Sequence, residues 1–133
     1  MKYYSKDGIL LAQTGNLNTA PEGLHFYTDN EQYIQVASFN YKTGHTMRAH
    51  RHIDREPPQE FRTEEVLLVW KGHVICYIYN IDGTELGSID LHSGDFIIVH
   101  KGGVKYEVQT DDTILLEAKT GPFTTSDEDR VLL

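Results

Sequence analysis

His50-Arg51-His52 is the part of this 133-residue chain from which a chemistry can first be argued. In an extended strand, residues two apart project from the same face, so both imidazoles point together. Two neutral imidazoles and a carboxylate from a neighbouring strand make the facial three-ligand set of non-haem iron sites. Glu65 opens the apolar run Glu-Val-Leu-Leu-Val-Trp (65–70) and is placed to supply that carboxylate. Its neighbour Glu64 has the opposite parity and is the weaker candidate. By itself the His-x-His pair is better read as two half-exposed strand histidines, because seven histidines will produce such pairs by chance.

Parity brings in further groups. Arg48 shares the face of His50 and His52 and could hold an anionic ligand such as a carboxylate or phosphate, or pair with acidic loop residues at a barrel rim. Glu107 shares the face of Lys105. Glu117 and Lys119 share a face of the last strand and could form a cross-barrel pair. Two such carboxyls meeting inside would have shifted pKa values and could act as acid and base. Tyr77 and Tyr79 share a face, with Trp70 near in sequence, and read as core or as a dimer face. Cys76 has no activating partner in the sequence and reads as a small buried residue.

These residues need strands to position them, and the chain supplies strands. His73–Ile81 is rich in β-branched and aromatic residues, and Asp82-Gly83 after it predicts a two-residue hairpin returning over Thr84–Leu91. Ser93-Gly94-Asp95, Lys101-Gly102-Gly103 and Asp111-Asp112 then separate strands at 96–100, 104–110 and 113–119. Turns about every ten residues predict an antiparallel sandwich or barrel. Upstream, Tyr33–Lys42 reads as a strand ended by Thr43-Gly44. Ile53–Glu64 is charged, contains Pro57-Pro58, and reads as a long loop, either a lid over a site or an exposed hairpin end. No long amphipathic helix, repeat or low-complexity segment is evident, so the fold class is all-β.

Composition narrows the partners. Hydrophobic residues at 39% and charged residues at 24% suffice for one core and not two at this length. Twenty acidic against twelve basic residues give a formal net charge of −8, which argues against nucleic acid and against anionic membranes. A lone cysteine allows no internal disulfide, and the apolar stretch Ile9–Ala12 is too short for a signal peptide, so a cytoplasmic location is expected. Phosphate-cradling glycine loops and a Gly-x-Ser-x-Gly elbow are absent from the sequence.

The order Gly44-x5-His50-x-His52 followed by Glu65-x6-Gly72 resembles the first motif of the cupin superfamily, with a longer gap between His52 and Glu65. Gly94-x5-His100-x-Gly102-x2-Lys105 resembles the second, but proline is usual at the His100 position and histidine at the Lys105 position. The resemblance spans residues 33–119 and implies an antiparallel jelly-roll β-barrel, or double-stranded β-helix. Residues 1–32 are then N-terminal strands or an arm on the barrel, and 120–133 a C-terminal tail. The stretch from Glu117 to Phe123 and the acidic end resemble small cupins of polysaccharide and sugar-nucleotide metabolism.

The resemblance implies a divalent metal (Fe, Ni, Mn or Zn) on His50, His52 and Glu65, with Lys105 where a fourth ligand is expected. A protonated lysine cannot ligate. Either Lys105 swings outward and leaves open positions, or it takes the metal's place against Glu65, or His100 or His92 replaces it. The expected function is metal-dependent chemistry on a small polar, carbohydrate-related ligand, of isomerase or epimerase type, with Lys105 and Glu107 moving protons and Arg48, His100, Glu117 and Lys119 contacting the ligand. A metal-free sugar-binding module and an iron-dependent dioxygenase are the alternatives. A homodimer through edge strands is also expected.

Overall fold

A computed structural model describes residues 1–53, 63–121 and 130–132. Most of the segment read as a lid, 54–62, lies outside them. The strands are β1 (Lys2–Tyr4), β2 (Leu10–Gln13), β3 (Gly23–Phe26), β4 (Ile34–Tyr41), β5 (Thr46–His52), β6 (Glu65–Lys71), β7 (His73–Tyr79), β8 (Glu85–His92), β9 (Phe96–Val99), β10 (Gly103–Val108), β11 (Thr113–Thr120) and β12 (Arg130–Leu132). A single 3-10 turn, Leu17–Thr19, sits among the described residues before β3. No helix among them is long and apolar enough to cross a membrane.

Two five-stranded antiparallel sheets form the body, ordered β12-β5-β10-β7-β8 and β3-β4-β11-β6-β9, while β1 and β2 form a separate ribbon. Alternation along each strand sends one set of side chains between the sheets. Phe39, Leu67, Val69, Val99 and Leu115 come from one sheet and Val74, Cys76, Leu91, Val104, Tyr106 and Val108 from the other. Burial of Cys76 pushes its thiol up to about 12, so it stays protonated and packs as a core residue.

The β7–β8 hairpin differs from the two-residue turn expected. Asn80 N–H donates to the Thr84 carbonyl at 2.8 Å and Gly83 N–H to the Asn80 carbonyl at 3.0 Å, so Ile81-Asp82-Gly83 is a three-residue loop. Gly83, at φ 91°, absorbs the left-handed step that closes it. Tyr77 and Tyr79 are half-buried rather than core, and the Lys105 ammonium lies 4.3 Å from the Tyr77 ring centroid.

Gly72 turns the chain from one sheet into the other. Its φ is 97°, and a Cβ there would stand 2.9 Å from the Thr113 Cα. Gly44 also has positive φ, 88°, but a Cβ there meets nothing within 4 Å. Gly44→Ala should therefore cost only the left-handed backbone penalty, about 1 kcal/mol, and Gly72→Ala at least about 2 kcal/mol more through the clash with Thr113. Denaturant unfolding of the two variants checks the difference, and equal losses would show that the corner yields.

Candidate metal centre

The space between the sheets is apolar at one end and polar at the other. At the polar end lies a cavity of about 350 Å³, lined by Leu24, Phe26, Phe39, Tyr41, Met47 and Leu67 together with the polar groups described below. Arg48, His50 and His52 all line it, as their shared parity predicts. Met47 lines it too, because β5 carries a bulge. Val104 of β10 faces His50 while Tyr106 faces Met47, so three steps on β5 match two on β10.

His50, His52 and Glu65 each offer a ligand atom, and these atoms lie within 4.8 Å of one another. His50 Nδ1 sits 2.9 Å from the Arg48 carbonyl oxygen. A carbonyl only accepts, so Nδ1 carries the hydrogen and Nε2 of the neutral ring carries the lone pair a metal needs. His52 Nε2 is 3.3 Å from Glu65 Oε2, and both side chains are almost wholly buried. Two imidazoles and a carboxylate converging beside this cavity fit a divalent transition metal in chemistry and in ligand number.

Glu117, on the strand beside Glu65, hydrogen-bonds it. Burial pushes the Glu117 carboxyl well above its ordinary range, and the neighbouring Glu65 charge pushes it further, so Glu117 keeps its proton. Burial also raises Glu65, but hydrogen bonds from His52 and Glu117, with the charges of both histidines, outweigh it and hold Glu65 at about 2. Lys119 lines the same cavity, its ammonium 5.9 Å from the Phe26 ring centroid.

Tyr106 is the residue the sequence reading missed. It is buried and lines the cavity, and its hydroxyl is the one fully buried side-chain polar atom among the described residues with no hydrogen-bond partner. Burial raises its phenol well above the ordinary range, so it stays a donor. The alternation Val104-x-Tyr106-x-Val108, all buried, was the available signal.

Lys105 and Glu107 occupy the opposite parity and do not line the cavity, which corrects their expected positions. Lys105 stacks over Tyr77, and Glu107 accepts from Gln109 Nε2 at 3.3 Å. Lys105 thus stands neither in the metal's place nor against Glu65. His100 is exposed and pairs with Glu64 at 3.3 Å, away from the cavity, and His92 stacks on His73 with centroids 4.2 Å apart. Neither replaces a fourth ligand.

The carboxyl pair makes stability depend on pH in a defined sense. Above pH 4.5 the folded pair holds on to a proton that two unfolded carboxyls, at the ordinary 4.5, give up. The pair's contribution therefore falls as pH rises above 4.5, by up to about 1.4 kcal/mol per unit. It also falls as pH drops from 4.5 towards 2, where Glu65 takes up its proton. Glu117→Gln keeps an N–H to donate and removes the titration. Denaturant midpoints between about pH 5 and 8 should then slope less than those of the wild type, and an unchanged slope would count against a shared proton.

No protein-family model and no curated protein matches the chain. Solved structures do. KdgF from Halomonas sp. superposes with a TM-score of 0.59 at 12% identity, covering 76% of this chain and 80% of that one. CapF, solved with the inhibitor 3-isopropenyl-tropolone, gives 0.62 at 16% identity over 83% of this chain and 34% of that one. Procruciferin, an 11S globulin from Brassica napus, gives 0.56 at 12% identity over 68% of this chain. The chain spans about a fifth of procruciferin's length and a third of CapF's. Two antiparallel sheets closed on a cavity with this ligand triad, and backbones of this likeness, establish that the chain has the cupin fold.

Proposed function

We propose that the chain takes up a divalent transition metal on His50, His52 and Glu65 and acts on a small polar, carbohydrate-related ligand bound in the adjoining cavity. The observation that carries this reading is the convergence of the three ligand atoms within 4.8 Å at the floor of a ligand-sized space. Such a metal would supply Lewis acidity to a ligand carbonyl or hydroxyl oxygen.

The chain's own residues divide the remaining work. The Arg48 carbonyl fixes the His50 ring and its tautomer. The Tyr106 hydroxyl donates to a ligand oxygen, which satisfies an atom that otherwise lacks a partner. Glu117 holds a proton inside the cavity, and Leu24 and Phe26 shield the solvent side with apolar surface. Isomerisation or epimerisation needs one group to accept a proton and another to deliver one. Glu117 is the inward-facing group with a proton to deliver, in place of Lys105 and Glu107.

A metal-free binding module is the second reading. It is favoured by the way His52 and Glu117 already satisfy Glu65 without an ion. The two readings part at metal content. Protein purified without chelator should contain stoichiometric transition metal by elemental analysis. His50→Ala and His52→Ala should each abolish uptake while the circular dichroism stays β-rich. Metal absent from the wild type would leave the binding module, and uptake surviving both changes would show that the histidines are not the ligands.

A further inference from the structure

The charge of the cavity runs against the charge of the protein. The whole chain has 20 acidic and 12 basic residues, yet among the described residues lining the cavity Arg48 and Lys119 balance Glu65 and Glu117 even with both carboxyls ionised. A divalent ion on the triad would bring the charge of these described residues to at least plus two. A surface that is anionic elsewhere thus presents a pocket suited to an anion.

Three features narrow the anion. Among the described residues the cavity is lined by strand side chains whose backbone amides serve the sheet ladders, and these offer none of the N–H nests that cradle phosphate. The planar guanidinium of Arg48 matches a carboxylate in a two-pronged contact. The Tyr106 hydroxyl offers a neutral donor beside the half-exposed apolar faces of Phe26 and Leu24, as a hydroxylated carbon chain requires. About 350 Å³ lies near the lower end of the range of small-molecule pockets and suits one monosaccharide-sized molecule.

We propose that the ligand is a small polyhydroxy carboxylate, its carboxylate held by Arg48 and Lys119 and a hydroxyl or carbonyl oxygen held by Tyr106. The proposal rests on the metal reading for the ion's position but not for the side-chain contacts. The test is calorimetric binding of three matched six-carbon probes, D-gluconate, sorbitol and sorbitol 6-phosphate, to metal-free and zinc-loaded protein. Gluconate should bind at least about tenfold more tightly than sorbitol and more tightly than the phosphate. Arg48→Gln and Lys119→Gln should each shrink that preference with zinc stoichiometry unchanged. Tyr106→Phe should weaken gluconate and sorbitol alike while raising the stability of the ligand-free protein. Equal binding of gluconate and sorbitol, tighter binding of the phosphate, no measurable gluconate binding, or a preference untouched by both cation changes would overturn the proposal. A chain that takes no zinc yet still prefers gluconate would end the metal reading and leave this one standing.

Discussion

Glu65 is a carboxylate only 4% exposed between two β-sheets, and the polar end of the molecule is arranged around that fact. An unpaired ion in such a place would cost more than a domain of this size can lose. Two donors meet it. His52 reaches across from β5 in the opposing sheet, and Glu117 reaches from β11 in the same sheet. The first contact ties the sheets together at the cavity, and the second forces Glu117 to keep a proton. Buried charge pairs are weak sources of net stability. What this network supplies is position: it holds a carboxylate and an imidazole at a separation that an ion can bridge.

The site is built from the same alternation as the core. Along β6 the inward residues are Glu65, Leu67 and Val69; along β11 they are Leu115, Glu117 and Lys119. Each strand carries apolar groups at one end and ionisable ones at the other, and the antiparallel registers align the ends. Glu65 pairs with Lys119 and Leu67 with Glu117, so the polar groups of the two strands stand side by side. A slip of one residue in either strand would turn the charged groups outward and leave the cavity apolar. Gly72, pressed against Thr113, closes the β6–β7 corner at the far end of the same pair of strands.

Much of this was legible in the sequence. Glycine and aspartate turns marked β7 to β11 almost to the residue, because hairpin connections leave a local chemical signature. The triad was legible because two imidazoles at a spacing of two share a strand face whatever the tertiary context. What failed was the step from motif spacing to facing. Lys105 fits the position of a usual histidine by residue count, but the face of a strand is set by alternation with its neighbours, and Val104, Tyr106 and Val108 claim the interior. The pairing of Glu65 with Glu117 was less accessible. It depends on β11 lying beside β6, a contact between segments about fifty residues apart that no local pattern encodes. The β5 bulge that adds Met47 to the cavity wall is likewise a property of pairing, not of the strand alone.

The polar end also gathers features that work against folding. An unsatisfied buried hydroxyl, a carboxyl forced to hold a proton beside a carboxylate, and half-exposed Leu24 and Phe26 all border one cavity. The other end of the barrel, around Val69, Val74, Val108 and Leu115, is apolar and closed. Costs arising by chance would be spread through the structure, and a core built only for stability would put a phenylalanine at 106 and a leucine at 117. An ion and an oxygen-rich ligand of the kind proposed would offset these costs: the phenol would gain an acceptor and the apolar rim would gain cover. Concentrated local cost of this kind is where a fold departs from its own rules, and here it falls on the side chains that surround the three metal-ligand candidates.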